Sequence, residues 1–363
     1  MKLKAYISNR LPFGLRASPA ILMLGLFKIL VADQQDSDDF TKDFGKQLYS
    51  GLYMDNGQIA ASSEADLLKF YYKMIDLFSR YQIFLQQFVT NSKLVEEAID
   101  SSDDANNSEV KILGMYWDKS IDHIHPMKIN LDCNASTNRS ILASINAVYD
   151  VLGVYIPVLN RSRLFLQKIQ TNNELDWDHN VGPENMREWR KICIQANQVP
   201  VIEIPRSMGS RSDIFTLVAF CDASKQMIGT VVYACNNSTG SVNFMCAKNR
   251  LLSAEMKEKS CPSLELFALN FTAEVTRDLC LELSGPEVVL PITIDRVILF
   301  SDSLVSLYWI QAHSVTFEKM QKRSVFVRNR LSDIDKICSQ QPITFSHVAG
   351  KENPSDKVSR PTS

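Results

Sequence analysis

Four acidic residues in the last third of the chain stand in four different local settings, and together they have the composition of a metal site. Asp222 and Asp302 each end a short apolar run, Glu265 lies early in a helical pattern, and Asp356 follows a polar turn. Carboxylates from two strand ends, a helix and a loop can build a magnesium site for phosphodiester cleavage. The residue types therefore indicate a hydrolytic metal site.

Such a site would need cations to be stable. Four carboxylates in one small space repel each other strongly, and some take up protons unless divalent cations neutralise them. Oxygen ligands select Mg²⁺ or Mn²⁺ over zinc. Two such ions about 4 Å apart can activate a water, hold the scissile phosphate and stabilise the leaving 3′ oxygen. We therefore expect two Mg²⁺ or Mn²⁺ ions as cofactors.

Spacing alone leaves a plainer interpretation open, because the chain contains 41 Asp and Glu residues and any four of them can be selected. His347 is open in the same way. It is either an ordinary loop or core histidine, or a group that protonates the leaving oxygen or aids product release. His123 and His125, one residue apart, are interpreted as a coincidence on a strand face and not as a metal pair.

The elements that would position the site follow one another after Ile214 as three strands, a helix, a strand, helical segments, a strand and a helix. We expect the first three strands to pair as a meander and the later ones to join through crossover connections, which gives a mixed sheet with helices packed on it. Asp222 and Asp302 then face each other if their strands are neighbours. The predicted strands are 215–221, 229–234, 242–247, 297–301 and 343–348, and the main helix is 262–283.

Glu265 must come from this main helix. The buried stripe of the helix includes Leu264 and Ala268, and Glu265 lies about 100° around the axis from Leu264. A side chain on that flank can reach the end of the sheet. The position of Glu265 is therefore compatible with the site.

The N-terminal third predicts a different arrangement. Ser18 and Pro19 suit the start of a helix, and a polar, acidic loop is expected at 33–43. The Asn56-Gly57 pair between apolar-rich runs predicts a hairpin, in which Asp55 taken alone is most simply a turn residue.

The segments that follow are predicted from their periodicity and charge. An amphipathic helix is expected at 65–84, a solvated acidic connector at 96–109 and a strand at 110–117. The region 136–175 has a helical pattern with an interruption at 153–157. A further helix is predicted at 177–196 and a linker at 200–212.

Composition indicates a soluble, intracellular protein of the cytoplasm or nucleus with no membrane partner. No apolar run approaches the roughly 18 to 20 residues needed to cross a bilayer, and the N-terminus has no signal core with a cleavage site. Eight cysteines without any Cys-x-x-Cys pair argue against a zinc module and a disulfide framework.

Charge gives a mixed indication about nucleic acid. The formal net charge of −2 and the pI near 6.2 count against a strong phosphate binder. The stretch 314–330 nevertheless has a local excess of positive charge, and local distribution matters more than the total. The candidate phosphate-binding residues there are Lys319, Lys322, Arg323, Arg328 and Arg330.

Specific motifs give the chain a resemblance to a known family over essentially its whole length. It resembles the pol polyprotein of a BEL/Pao-type LTR retrotransposon. The segment 11–19 is similar to the one that opens the palm helix of reverse transcriptase, Tyr53-Met54-Asp55-Asn56 stands where that family has its Tyr-x-Asp-Asp hairpin, and 113–118 resembles the element that supports the primer. The segments 140–153 and 175–178 resemble the helical region after the palm.

The C-terminal part resembles a type 1 RNase H domain. The motifs that carry this likeness are 220–224, 246–250, 264–266, 301–303 and 347–356, which contain all four acidic residues and His347. The resemblance implies an α/β and α+β multidomain protein: a truncated reverse-transcriptase palm at 1–118, a helical thumb or connection region at 119–205, and an RNase H-like mixed five-stranded sheet with flanking helices at 206–363.

The resemblance also implies an activity. It assigns Asp222, Glu265, Asp302 and Asp356 as catalytic metal ligands for cleavage of the RNA strand of an RNA:DNA hybrid, with His347 as an assisting residue. The hybrid would be bound through contacts to its sugar-phosphate backbone and 2′-hydroxyl groups, without contacts that read the bases.

Two departures from the family pattern predict that polymerase activity is lost. Asn56 replaces the second carboxylate of the palm hairpin, and a neutral amide is a poorer Mg²⁺ ligand. The chain starts just before the Pro12-Phe13-Gly14 segment, so the strand with the first palm aspartate is not in it.

The sequence also bears on other function classes. No Asp-Thr-Gly or Asp-Ser-Gly turn and no Cys/His pairing stands out, so proteolysis is not expected. The alternative is a non-catalytic nucleic-acid-binding remnant of a decayed polyprotein. The oligomeric state is left open.

Overall fold

The computed structural model describes residues 11, 14–33, 38–54, 56–99, 109–172, 176–286, 288, 290–313 and 323–361. The chain divides into two compact units. One comprises residues up to Asn107 together with Pro286–Pro291, and the other comprises Ser108–Gly285 and Ile292–Ser363.

The N-terminal unit is mainly helical and has its own apolar core. Its elements are α1 (Ser18–Asp33), α2 (Asp39–Gly51), β1 (Leu52–Tyr53), β2 (Asn56–Gly57), α3 (Glu64–Ser79) and α4 (Lys93–Glu96). The core combines apolar side chains from α1, α2 and α3: Leu26, Leu30, Phe44, Leu48, Phe70, Leu77 and Phe78.

Three expectations for this unit are corrected in extent. The acidic loop predicted at 33–43 is shorter, because Asp38 caps a helix through its side chain, which accepts from Thr41 N at 2.9 Å. The helix predicted at 65–84 ends at Ser79. The connector predicted at 96–109 begins with a turn in which Ile99 is buried, and residues 100–108 lie outside the described part.

The Asn-Gly hairpin forms, but its register differs from the one that the dipeptide suggests. Tyr53 pairs with Asn56 and Leu52 with Gly57, so Asn56 and Gly57 lie in the second strand. Met54, at the turn, has a positive φ of 54°. The apolar run before the hairpin is the end of α2, since Gln47 and Leu48 are buried on that helix.

The second unit begins with a small antiparallel sheet, where one expectation was wrong. Residues 110–117 do not form one strand: β3 (Glu109–Ile112) and β4 (Met115–Asp118) are the arms of a hairpin. Leu113 and Gly114 form the turn, and both have positive φ values, of 50° and 87°. Two successive residues with positive φ are typical of the two-residue type I′ turn of a hairpin. Two further strands complete the sheet, β5 (His123–His125) and β6 (Ile204–Pro205).

Part of the predicted linker 200–212 is therefore structured. Ile204 pairs with Ile124 in this sheet. Beside it, Arg206 forms a bidentate ion pair with Asp122, with nitrogen–oxygen distances of 2.7 and 3.0 Å.

Three helices follow the hairpin, as the periodicity predicted. They are α5 (Asn138–Asn146), α6 (Ile156–Asn172) and α7 (Pro183–Asn197). The interruption predicted at 153–157 exists, but it covers residues 147–155, and α6 begins at Ile156. Trp189 is fully buried among them and donates from Nε1 to the carbonyl of Asp132 at 2.9 Å. The helix predicted at 177–196 begins later, at Pro183, after Gly182 with a φ of 85°.

The five-stranded sheet confirms the predicted mixed α/β architecture. Its strands are β7 (Ile214–Ala223), β8 (Met227–Asn236), β9 (Val242–Leu251), β10 (Thr293–Ser301) and β11 (Thr344–His347), in the order β11-β10-β7-β8-β9. The strands β7, β8 and β9 form the antiparallel meander, and β10 pairs in parallel with both β7 and β11. The remaining elements are α8 (Ala254–Lys257), α9 (Cys261–Ser284), α10 (Leu304–His313), α11 (Val325–Gln340), a 3₁₀ turn at Gly350–Glu352 and α12 (Asp356–Ser359).

The sheet is covered on both faces. On one face α9 and α11 bury a large apolar core that includes Leu217, Leu266 and Leu331. A second, smaller cluster joins helix α6 to the sheet and to α12 through Ile156, Val231, Ala247 and Val358. The predicted helical region and the predicted RNase H-like domain thus lie in one compact unit, while the boundaries at 118/119 and 205/206 stay predictions.

None of the helices in the described part of the chain is long and apolar enough to cross a membrane.

Candidate active site

Two of the four carboxylates lie at matching ends of neighbouring strands. In the parallel pairs, Ser301 of β10 is level with Cys221 of β7 on one side and with His347 of β11 on the other. Asp222 and Asp302 are the next residues along their strands. The structure therefore confirms that these two strands are neighbours and brings the two aspartates to one edge of the sheet.

Glu265 is joined to this edge by a serine. It lies in the first turns of α9, a helix with Pro262 near its start, and its Oε2 accepts a hydrogen bond from Ser303 Oγ. Ser303 follows Asp302 directly. A second serine extends the link, because Ser306 Oγ donates to the carbonyl of Pro262 at 3.2 Å.

Asp356 is brought to β7 by the residues just before it. Asn353 donates from Nδ2 to the carbonyl of Cys221 at 2.8 Å, and Ser355 donates from Oγ to the carbonyl of Phe220 at 2.6 Å. Both side chains are buried. They fix the turn to the last residues of β7, so Asp356 begins α12 beside Asp222 and is not a free loop residue.

Two residues of the same segment contact the carboxylates directly. Ser359 Oγ donates to Oδ2 of Asp222. Arg360 Nε lies 3.0 Å from Oδ1 of Asp356 and 3.8 Å from Oδ2 of Asp222. The guanidinium thus supplies positive charge between two of the predicted metal ligands, although its side chain is more than half exposed.

Burial and neighbouring charge both act on Asp222. Asp222 is 5% exposed, and its pKa is raised to about 6, mainly because of burial. The negative charges of Asp302 and Asp356 contribute to this rise in pKa, while the Ser359 hydrogen bond and Arg360 oppose it. Cys221 lies in the core beside this cluster, and burial raises the pKa of its thiol, with smaller contributions from Asp222, Asp302 and Glu265. The carboxylates are therefore close enough to interact electrostatically.

The cluster is not a ready-made metal site. Within the described ranges, no three Asp, Glu, His or Cys side chains are grouped closely enough to hold an ion. The donor set nevertheless fits Mg²⁺ or Mn²⁺ chemically, because all four groups are oxygen ligands. The strong effect of burial and like charge on Asp222 is also what a divalent cation would relieve.

His347 and Gly350 lie next to the carboxylate edge. His347 is exposed at the end of β11, level with Ser301, so it is not a core histidine. A Cβ added at Gly350 would be 3.2 Å from Oδ2 of Asp302, so the backbone of this loop passes close to that carboxylate.

The candidate residues of the palm hairpin lie in the other unit. Tyr53 is about half exposed and pairs with Asn56 across the two strands. Asp55, Pro12 and Phe13 lie outside the described residues.

The candidate phosphate-binding residues differ in their surroundings. Lys319 and Lys322 lie outside the described residues, and Arg328 is exposed. Arg323 stacks over the ring of Trp309 at 4.8 Å. Arg330 is engaged within the domain, since it lies over Phe267 and Phe326 and donates to Asn270 at 3.1 Å.

Sequence reasoning did not assign several residues that shape this site. Ser303, Ser359 and Arg360 contact the carboxylates, and Asn353 and Ser355 anchor Asp356. The only local signal for them is the concentration of small polar residues beside Asp302 and Asp356.

Comparison with known proteins agrees with the sequence motifs. Residues 137–303 match the profile of the Pao retrotransposon-like RNaseH-like domain family. The match spans the helices α5 to α7 and the sheet as far as the end of β10, so it covers both parts of the second compact unit. No curated protein matches the chain.

Solved structures share the fold at low identity. The chain is 15% identical to the foamy viral protease-reverse transcriptase in complex with double-stranded DNA, with a TM-score of 0.54 over 94% of this chain and 60% of that one. For the same type of protein in complex with an RNA/DNA hybrid, the identity is 16% and the TM-score 0.53, over 98% of this chain and 40% of that one. The chain thus spans roughly half the length of the structures that it resembles.

Proposed function

We propose that this chain, whose residues 137–303 carry a Pao retrotransposon-like RNaseH-like domain, hydrolyses the RNA strand of RNA:DNA hybrids. The observation that carries the proposal is that two acidic residues lie at one edge of the sheet and that hydrogen bonds tie the segments of two others to it. Asp222 lies near the end of β7 and Asp302 directly follows its parallel neighbour β10, and Glu265 is linked to the same edge through Ser303. Asp356 is fixed there by Asn353 and Ser355.

These four carboxylates would hold two Mg²⁺ or Mn²⁺ ions. When bound, such ions supply an activated water and stabilise the charge that develops on the scissile phosphate and the leaving oxygen. The protein's own groups prepare the site: Ser303 and Ser359 fix two of the carboxylates through hydrogen bonds. His347, exposed at the end of β11, would be the group that gives a proton to the leaving 3′ oxygen.

The substrate would be recognised by shape and charge. Structures of the foamy viral protease-reverse transcriptase with double-stranded DNA and with an RNA/DNA hybrid support duplex binding as a proposal for this chain. Contacts to the backbone and the 2′-hydroxyl groups would distinguish the RNA strand without base readout. Arg323 and Arg328, together with Lys319 and Lys322, are the proposed contacts to the DNA phosphates. Arg330 is a weaker candidate because its charge already serves contacts within the domain.

We also propose that the chain does not polymerise DNA. Asn56 stands at the place of a carboxylate in the hairpin motif, and an amide carries no charge with which to hold Mg²⁺ against water.

The test is cleavage of a labelled RNA:DNA hybrid by the purified chain with Mg²⁺, with Mn²⁺ and with a chelator. Asp302→Asn and Asp222→Asn should abolish cleavage and leave hybrid binding intact. Asp295→Asn is the matched control, because Asp295 is an exposed carboxylate at the other end of β10 and its loss should leave the rate unchanged. Retained activity in Asp222→Asn would contradict the assignment.

One observation favours the alternative, a non-catalytic nucleic-acid-binding remnant. Arg360 already neutralises part of the charge of Asp222 and Asp356, as a protein without metal would require. A folded wild-type chain that binds the hybrid and never cleaves it would establish this alternative.

A further inference from the structure

Asn160 on helix α6 is fully buried and holds the segment that carries Asp356. Its Nδ2 donates to the carbonyl of Val358 at 2.9 Å and to the carbonyl of Arg360 at 3.2 Å. Its Oδ1 accepts from Asn249 Nδ2 at 2.6 Å. One amide thus connects a helix of the region before the sheet, the strand β9 and the C-terminal segment.

Asn249 is itself held in place from α6. Arg163 Nη1 donates to Asn249 Oδ1 at 2.8 Å. In the sheet, Asn249 is level with Gly229 of β8, which is level with Asp222 of β7. The Asn160–Asn249 contact therefore lies on the same row of the sheet as Asp222.

The other side of the segment rests directly on that row. A Cβ added at Gly229 would lie 2.9 Å from a side-chain carbon of Val358 and 3.0 Å from Ser359 N. Residues 358 and 359 therefore pack against the backbone of β8, and Asn160 holds the carbonyl of Val358 by a hydrogen bond.

These contacts matter because α12 is too short to be stable as an isolated helix. It comprises only Asp356–Ser359, and a helix of one turn has no stability of its own in water. The segment nevertheless supplies Asp356, Ser359 and Arg360 to the carboxylate cluster. Its position relative to Asp222 must come from tertiary contacts.

We propose that Asn160 is a positioning residue through which helix α6 sets the place of residues 356–360 at the active site. The inference rests on the proposed nuclease function and deepens it: the metal site depends on a side chain from outside the five-stranded sheet. Asn160 touches neither the substrate nor the metal in this scheme, and it acts through the backbone of Val358 and Arg360.

The test compares two variants of helix α6 in the full chain. Asn160→Ala removes both hydrogen bonds from helix α6 to the segment and leaves the longer one from Asn249 to the carbonyl of Val358. Gln167→Ala is the matched control, because Gln167 Nε2 also joins α6 to the sheet, donating to the carbonyl of Leu252 at 2.9 Å, but does not contact residues 356–360. The measurements are Mn²⁺ binding by calorimetry without hybrid, the Mg²⁺ concentration for half-maximal cleavage, and KM for the hybrid.

For Asn160→Ala we expect both metal constants to rise about 10-fold, the range seen when groups that orient metal ligands are removed. KM for the hybrid should change less than about 2-fold, because the phosphate contacts are elsewhere. Gln167→Ala should leave all three within about 2-fold. Metal constants that are equal in the two variants would overturn the inference.

Two further measurements keep the outcome clear. If Asn160→Ala does not fold, Arg163→Met is the second variant: it frees Asn249, which itself donates to the carbonyl of Val358 at 3.4 Å, and it also removes a charge that acts on Asp150. It should give a smaller rise in the same metal constants, and no rise would contradict the inference. If the wild type neither cleaves nor binds Mn²⁺, the proposed function fails. Hydrogen exchange at the amides of Val358 and Ser359 still tests the positioning, since it should be faster in Asn160→Ala than in Gln167→Ala.

Discussion

At the scale of single residues, the proposed chemistry needs Asp222 as a charged metal ligand, while the fold disfavours its charged form. Its carboxylate is nearly inaccessible to solvent and lies near two other carboxylates, so its charged form is disfavoured. Ser359 and Arg360 offset only part of this cost. Without metal, the site should therefore weaken the fold at neutral pH.

The pH dependence of stability follows from the raised pKa of Asp222. A folded-state pKa of about 6, above the ordinary value of 3.8, means that the folded protein holds this proton more tightly than the unfolded chain. Protonation of Asp222 therefore stabilises the folded state. This contribution to the free energy of unfolding is fully present below about pH 4 and is lost as the pH rises through about 6. It amounts to about 3 kcal/mol in all, of which about 1 kcal/mol lies between pH 5 and pH 7.5.

Urea unfolding with chelator at pH 5 and at pH 7.5 measures this effect in wild type and in Asp222→Asn. The wild type should lose more stability over that interval than the variant, which has no proton to lose. Equal losses in the two proteins would show that another group is responsible.

Arg360 gives a second prediction at this scale. In Arg360→Met the positive charge beside Asp222 and Asp356 is gone, so a divalent cation no longer competes with it. We expect Mn²⁺ to bind about 2- to 3-fold more tightly in calorimetry, a small effect because Arg360 is largely exposed and solvent screens its charge. Weaker binding in Arg360→Met would show that the guanidinium helps to shape the metal site. Arg296→Met, which removes an exposed arginine at the other end of the sheet, is the control.

At the scale of elements, the strand ends decide where the site can be. Strands β7, β10 and β11 are parallel, and β10 and β11 end level with Cys221 of β7, so Asp222 near the end of β7 and Asp302 just after β10 lie at one edge. In the antiparallel strand β8, Gly229 is level with Asp222, and because it has no side chain the C-terminal segment can pack closely against its backbone. The site is thus made by register as much as by residue type.

Gly229→Ala tests that close approach. The added methyl group would meet the backbone of the C-terminal segment, and we expect a loss of about 1–3 kcal/mol in the free energy of unfolding together with weaker metal binding. Tryptophan fluorescence in urea suits the measurement, because all four tryptophans belong to this compact unit. Gly240→Asn, in the turn after β8 with a φ of 73° and open space around it, should be nearly neutral, since Asn tolerates that conformation. A neutral Gly229→Ala would mean that the segment moves away freely.

At the scale of the whole molecule, the second compact unit joins three helices to the five-stranded sheet. Apolar contacts of Ile156 with Val231, Ala247 and Val358 accompany the hydrogen bonds of Asn160 across this junction. The family match, which begins at residue 137 and runs through both parts, agrees with one structural unit.

Cooperative unfolding is the consequence. Ile156→Ala should destabilise this unit by about 2–5 kcal/mol, as expected for a buried isoleucine. Tryptophan fluorescence and hydrogen exchange in β7 should report one transition at the same urea concentration. Val242→Ala, at an exposed position of β9, should have little effect. Separate transitions for the helices and the sheet would show two domains that unfold independently.

The sequence by itself determined the location of most elements and the identity of the acidic residues. Strand and helix patterns are local, so the strands β7 to β11 and the helix α9 were predicted with errors mainly at their ends. The errors are also local: the apolar pattern predicts one strand at 110–117, whereas Leu113-Gly114 forms a turn inside it. The acidic cap and first turn of α2 predict a loop where the helix begins.

Only the tertiary structure decided which other groups meet the carboxylates. Ser359 reaches Asp222 across 137 positions of the chain, and Asn160 reaches the carbonyl of Val358 across 198. A hydrogen bond between such distant residues leaves no periodicity and no composition bias in either segment, because a buried amide or hydroxyl is selected by one partner and not by its neighbours in sequence. Residue types specified the chemistry, while strand register and the docking of helix α6 specified the site.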